Sequence, residues 1–209
     1  MKVVIIGAGN VGSALARASK EAGHDVVVAA RSEDKLDALV EELGVEKAGS
    51  NLQAVRDADV VVLAVSFPEI DGLLAEVGVA LEGKVVIDPT NPVKADLSGR
   101  AFEDTSGAEI IQEKVPRARV VKAFNTVFAS KQADPVQDGT PIDGLVAGDD
   151  ADAKDAVLDL LAKIGYRPID VGPLSAARYL EGLQFLNISL NAANGWPWQS
   201  SWKLVGPTG

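Results

Sequence analysis

The sequence predicts an α/β fold, a doubly wound parallel sheet with helices on both faces. Three observations predict it. Short apolar runs alternate with segments of helical period, glycine-rich links join the two, and the runs are continuous instead of alternating polar with apolar. A strand reads as an unbroken apolar run when both its faces are covered, which is the condition inside a parallel sheet sandwiched between helices.

The elements follow in order. "VVII" (Val3–Ile6) reads as the first strand. From Asn10 to Ala22, Val11, Ala14, Leu15 and Ala18 recur at helical spacing, and Gly23 stops them. "DVVVAA" (Asp25–Ala30) is the second strand, and the next helix carries Leu36, Leu39, Val40 and Leu43 on one stripe. A weak strand near Val45–Ala48 leads to a short helix capped by Ser50. "DVVVLAV" (Asp59–Val65) is a strong strand, followed by a helical stripe of Ile70, Leu73, Leu74 and Val77. "KVVID" (Lys84–Asp88) and "RVVKAF" (Arg119–Phe124) are two more strands. The polar, turn-rich stretch Ala129–Pro141 is the best boundary, dividing the chain into 1–128 and a small C-terminal α/β extension, 129–209. That extension reads as strand (Ile142–Ala147), helix (Val157, Leu160, Leu161, Ile164), strand (Arg167–Val171) and a long helix from near Ser175.

Composition narrows the classes. The 209 residues are 47% hydrophobic, enough for a packed core, and carry a net charge of −10. A surface that acidic repels phosphate backbones, so nucleic acid is an unsuitable partner. No apolar run approaches the ~20 residues that cross a bilayer, and "MKVVIIGAG" lacks the cleavage site of a signal peptide. The absence of cysteine removes disulfides, thiolate metal sites and cysteine nucleophiles together, and fits a cytoplasmic address.

Gly7, Gly9 and Gly12 form G-x-G-x-x-G between the first strand and the first helix. In that setting Gly7 permits the tight turn, Gly9 lets a pyrophosphate approach bare backbone, and Gly12 lets helix and strand pack closely. The helix N-terminus then offers unpaired N–H groups to the phosphates. The plainer alternative is a compact turn. With spacing, strand and helix in agreement, the segment reads as a Rossmann-type dinucleotide site. An NAD site places an acid at the end of the second strand. Here Ala29 and Ala30 stand there, followed by Arg31 and Ser32. A guanidinium pairs with a 2′-phosphate, so NADP is expected, unless Arg31 is an ordinary solvated residue.

Acid–base machinery is scarce. The single histidine, His24, falls between the first helix and the second strand, at the pole opposite the carboxyl edge where ligands bind in open α/β sheets. Lys122 and Tyr179 are the remaining candidates. No catalytic side chain and no metal ligand set is assigned. Hydride transfer between a nicotinamide and another conjugated ring suits such a site, because it chiefly needs two flat surfaces in contact.

"GAGNVG", "AARSEDK", "VVKAFNT", "VAGDD" and "RPIDVGPLSAARYLEGL", in this order, resemble the coenzyme F420-dependent NADP oxidoreductases and the related reductase domain of the six-transmembrane metalloreductases. The resemblance implies a homodimer binding NADP(H), with a deazaflavin stacked on the nicotinamide. It implies that Gly7, Gly9, Asn10, Val11 and Gly12 surround the pyrophosphate and that Arg31 and Ser32 meet the 2′-phosphate. Val65, Ser66 and Phe67 would border a ribose, Asn91 and Pro92 would approach the nicotinamide, and Ala123 with Asn125 would line the ring-stacking cleft. The 129–209 extension would complete that cleft and form the dimer interface. The chain departs from the pattern at Ala8, Ala30 and Asn125, and "KAFNT" is closer to the metalloreductase branch, which leaves FAD or FMN as alternative acceptors. Trp196, Trp198 and Trp202 are read either as stacking on a flavin-like ring or as sealing a subunit interface. Leu180, Leu183, Leu186 and Leu190 would pair the last helix with its twin, and Arg178 with Glu181 would form a surface ion pair. Three functions stand: an NADPH:F420 oxidoreductase acting on a small-molecule acceptor, an NADPH-dependent flavin or metal reductase, and a dinucleotide-binding sensor without turnover.

Overall fold

The computed structural model describes residues 1–96 and 98–206. Strand and helix alternate through β1 (Lys2–Ile6), α1 (Asn10–Glu21), β2 (Asp25–Ala29), α2 (Glu33–Leu43), β3 (Glu46–Lys47), α3 (Asn51–Arg56), β4 (Val60–Leu63), α4 (Ile70–Val77) and β5 (Val85–Asp88). The chain continues through α5 (Gly107–Lys114), β6 (Arg119–Lys122), α6 (Ala129–Gln132), β7 (Val136–Gln137), β8 (Thr140–Pro141), β9 (Asp143–Gly148), α7 (Ala151–Ile164), β10 (Arg167–Asp170) and α8 (Ala177–Asn194).

One sheet runs in the order β3-β2-β1-β4-β5-β6-β9-β10, and β7 pairs with β8 in a separate hairpin. Every junction of the large sheet is parallel except β6 with β9. The extension 129–209 therefore adds its two strands to the edge of the same sheet; its last three residues lie outside the described ones. Alternate residues explain the unbroken apolar runs. Val3 and Ile5 join Leu15, Leu36 and Leu160 on one face, while Val4 and Ile6 join Val55, Ile70 and Ile111 on the other.

Two elements lie outside the expected pattern. The segment between β5 and β6 contains α5, whose Ser106 hydroxyl accepts the Glu109 N–H at 3.2 Å and donates to its carboxylate at 2.7 Å. The S-x-x-E spacing is the sign that would have found it. The stretch 129–141 holds α6 and a hairpin closed by Asp138-Gly139, a pair suited to the positive φ angles of a tight turn.

Helix α8 buries Ala177 and Leu180 at its start, but beyond them its polarity is reversed. Glu181, Gln184, Asn187 and Asn191 are buried, while Tyr179, Leu186 and Leu190 are exposed. The buried stripe has work to do there: Asn187 and Asn191 hold Ser200 through hydrogen bonds of 2.6 Å each, fastening the C-terminal tail. Among the described residues no helix is long and apolar enough to cross a membrane.

Candidate functional site

The crossover from β1 to α1 is built around the three glycines. Gly7 adopts φ 123°, and a Cβ there would lie 2.1 Å from the Ala64 carbonyl oxygen. A Cβ on Gly12 would lie 2.0 Å from the Gly7 carbonyl oxygen. These two positions admit only glycine because backbone touches backbone. Gly9 is different, since a Cβ there would meet nothing within 4 Å. It borders two cavities of about 480 and 550 Å³ that meet over Gly9, Ala64, Val65 and Ser66. Gly9 is also the N-cap of α1, with no side-chain cap and no acid in the first turn. The N–H groups of that turn are left without helical partners, beside the positive end of the helix dipole. An open cradle and free donors fit a pyrophosphate.

The first cavity takes its walls from Gly7, Ala30, Arg31, Ser32, Asn51 and Leu73, among others. Two residues the sequence reading passed over complete it. Lys35 lies one helical turn beyond Arg31, and Glu69 lies three residues after Ser66. Glu69 Oε2 accepts from Ser66 N–H at 3.1 Å and from its hydroxyl at 2.6 Å, closing a capping box on the turn Phe67–Glu69. Its other oxygen pairs with Arg31.

The second cavity is bordered by Asn10, Val11, Phe67, Asn91, Pro92 and Val93, with Thr90 and Ala101 nearby. None of its lining residues is ionisable. The Thr90 hydroxyl is buried and has no hydrogen-bond partner among the described residues, and Asn10, Ser66 and Asn91 are the other polar residues of the lining. The Phe102 ring packs edge-on against Phe67 at 5.5 Å, beside this cleft.

Of the residues expected at the site, Gly7, Gly9, Asn10, Val11, Arg31, Ser32, Val65, Ser66, Phe67, Asn91 and Pro92 border one cavity or both. Gly12 is buried behind the crossover. Ala123 and Asn125 border neither. Ala123 is fully buried and shares a core face with Val121, as alternation along β6 requires. Asn125 follows Phe124, which takes the left-handed conformation at φ 65°, and it exchanges two hydrogen bonds with Asn91 at 2.8 and 2.9 Å. No described residue of the extension borders either cavity, and the tryptophans lie away from both; Trp198 packs against Phe128 at 5.6 Å.

Three further expectations change. Lys122 is fully buried, donating to Asp88 at 2.8 Å, to the Thr90 carbonyl at 2.6 Å and to Glu181 at 2.7 Å, so all three of its protons are committed. It is a support, not an acid or base. Arg178 pairs with Glu109 instead of Glu181, and that guanidinium is the largest influence holding the Glu109 carboxyl below the ordinary range. Glu181 points inward, to Lys122 and to the Gly107 N–H at 2.9 Å, and burial pushes its carboxyl above the ordinary range. His24 sits at the far pole as expected, with burial lowering its imidazole.

The sheet order, the glycine crossover and a cleft over the carboxyl edge define a protein of the Rossmann-type, dinucleotide-binding class of folds. More narrowly, the chain belongs to the coenzyme F420-dependent NADP oxidoreductase family, whose model matches residues 2–92. It is 30% identical to a solved protein of Arthrobacter sp. FB24, provisionally described as an F420-dependent NADP-reductase, with a TM-score of 0.89 over 99% of this chain and 100% of that one. A Sinorhizobium meliloti protein of unassigned function is 32% identical, with a TM-score of 0.77 over 85% of this chain and 88% of the other. The rat metalloreductase STEAP3 is 31% identical over 87% of this chain. The chain spans only 36% of that relative's length. Family membership makes NADP(H) the dinucleotide.

Proposed function

We propose that the chain transfers a hydride between NADP(H) and coenzyme F420, the deazaflavin lying against the nicotinamide in the second cavity. The observation that carries this reading is the lining of that cavity, whose residues carry no ionisable side chain. NADPH supplies the hydride when bound. The protein's part is then to hold two flat rings in contact; with no ionisable side chain in the lining, the proton that completes the reduced deazaflavin would come from solvent. Gly9 and the first turn of α1 would hold the pyrophosphate, Arg31 and Ser32 the 2′-phosphate, and Asn91, braced by Asn125, the nicotinamide side. The Arthrobacter protein's description supports F420 as acceptor. The likeness to STEAP3 favours a second reading, a flavin or metal reductase with FAD or FMN in that place.

Anaerobic mixing of the protein with NADPH and F420 tests the proposal. The deazaflavin absorbance is expected to bleach as NADPH is consumed. Oxidation of bound NADPH by FMN or FAD, with F420 unchanged, would transfer the assignment to the second reading. Binding without turnover by any of them would leave a dinucleotide sensor. For the cofactor itself, Arg31→Asp is expected to weaken NADPH binding by about tenfold or more, the worth of a charge-assisted contact, and to leave NADH binding nearly unchanged. Equal NADPH affinity in the variant would remove Arg31 from the site.

The protein acts as a homodimer in this reading, through the apolar outer face of α8. Leu186 and Leu190 stand 49% and 37% exposed one turn apart, over a buried polar stripe. Light scattering is expected to give twice the 21.7 kDa chain mass, and Leu186→Glu with Leu190→Glu to give one chain mass while NADPH still binds. A wild-type monomer at micromolar concentration would defeat this expectation.

A further inference from the structure

Arg31 does not wait empty at the mouth of the first cavity. Its guanidinium is paired with Glu69, and its side chain is 76% exposed, so the pair spans the rim instead of the core. Glu69 is held there by its own backbone turn. One carboxylate oxygen is fixed by Ser66 N–H and hydroxyl, which turns the other toward Arg31. The same rim carries Lys35, which makes no ion pair among the described residues, and Glu76, which accepts from Asn51 Nδ2 at 2.9 Å. Two cations and two carboxylates thus share one opening.

We infer that Glu69 is a specificity-determining residue: it holds Arg31 as an internal anion that the 2′-phosphate must displace, and so sets how strongly the site prefers NADP(H) to NAD(H). This rests on the assignment of Arg31 to the 2′-phosphate made above. A phosphate dianion arriving at Arg31 breaks the existing ion pair and leaves the Glu69 carboxylate facing a like charge. NAD(H) brings no such group and leaves the pair intact. Lys35, one turn along α2 and unpaired, is the cation that receives the phosphate without an exchange. The acid that discriminates here therefore comes from the turn after β4, not from the end of β2 where the fold ordinarily places it.

Glu69→Gln isolates the charge. Glutamine serves the capping box as glutamate does, so the Phe67–Glu69 turn keeps its bonds while the anion disappears. Dissociation constants for NADPH and NADH, read by the change in dinucleotide fluorescence, are compared for wild type, Glu69→Gln, Arg31→Ala and the double variant. Glu69→Gln is expected to tighten NADPH by about two- to fivefold, the worth of one exposed ion pair, with little change for NADH. The gain should shrink in the Arg31→Ala background. NADPH affinity unchanged or weakened by Glu69→Gln, while Arg31→Ala weakens it, would overturn the exchange and leave the 2′-phosphate assignment standing. A gain undiminished without Arg31 would likewise overturn it, because Glu69 would then act on the phosphate alone. No effect of Arg31→Ala on NADPH would instead overturn the assignment itself. NADH binding and the melting temperature report that each variant is folded.

Discussion

Lys122→Met should destabilise the protein by about 3–5 kcal/mol, the usual consequence of removing one partner from a buried ionic group. The side chain fills a similar volume, so packing contributes little of the loss. What is lost is the cation that Asp88 and Glu181 share. Lys122 is fully buried, as is Asp88, and Glu181 is 2% exposed. Without the ammonium, the buried Asp88 and Glu181 carboxylates lose the cation they share, and the Thr90 carbonyl loses its donor. The effect should reach the cleft, because the Thr90 N–H is itself held by Asp88 Oδ1 at 2.9 Å, one residue before Asn91. Urea unfolding gives the loss directly.

The pH dependence of that loss has a definite sign. Burial holds the folded Glu181 carboxyl above its ordinary value of 4.5, and Lys122 works against that rise. In the methionine variant the opposing pull is gone. The folded protein then keeps a proton that the unfolded chain releases, throughout the window between 4.5 and the raised value. Stability climbs as pH falls through such a window, so the deficit should narrow from pH 8 toward the carboxylate range. Glu181→Gln should cost less than Lys122→Met. Added to it, the same change should restore part of the lost stability, since neighbouring groups are not additive. A deficit independent of pH and of residue 181 would mean that the lysine acts by packing alone.

What could be read beforehand divides along physical lines. The strands and the glycine crossover are local patterns: apolar runs, a fixed spacing, a cap at Ser50 that does accept the Gln53 N–H. Chain order alone determines them. Helix α5 is equally local, through Ser106 and Glu109, but its apolar stripe of Ala108, Ile111 and Val115 is too short to stand out along the chain. The burial of Ala123 follows from its sharing a core face with Val121. Other features were not legible. Lys122 meets Asp88 and Glu181 across separations of 34 and 59 residues. Glu69 meets Arg31 only because β2 and β4 both flank β1. Pairs of this kind are products of the sheet order, and a charged residue read along the chain looks solvated until its partner is placed. In the second half of α8 buried asparagines and exposed leucines invert the usual rule, because Asn187 and Asn191 meet a polar tail in place of an apolar core.

Gly9→Val and Gly12→Ala should separate two roles that one glycine motif combines. In Gly12→Ala the added methyl group would stand 2.0 Å from the Gly7 carbonyl oxygen, backbone against backbone, with no flexible side chain to give way. Helix α1 must shift outward, and overpacking of this kind costs on the order of 2 kcal/mol or more. NADPH affinity falls with stability. In Gly9→Val the new side chain enters open space, where nothing lies within 4 Å of the first carbon added, so the melting temperature should hardly move. The same open space lies where the two cavities join, directly before the free N–H groups of α1. A pyrophosphate crossing there must contact bare backbone. NADPH binding should therefore weaken by about tenfold or more, the equivalent of an overpacked contact, in a protein as stable as the wild type. Calorimetric titration beside a thermal melt reads both quantities on each variant. If Gly9→Val binds NADPH as the wild type does, the phosphates do not cross at Gly9, and the placement of the nicotinamide in the second cavity fails with them. If instead it loses stability in step with Gly12→Ala, the crossover is a packing device at all three positions.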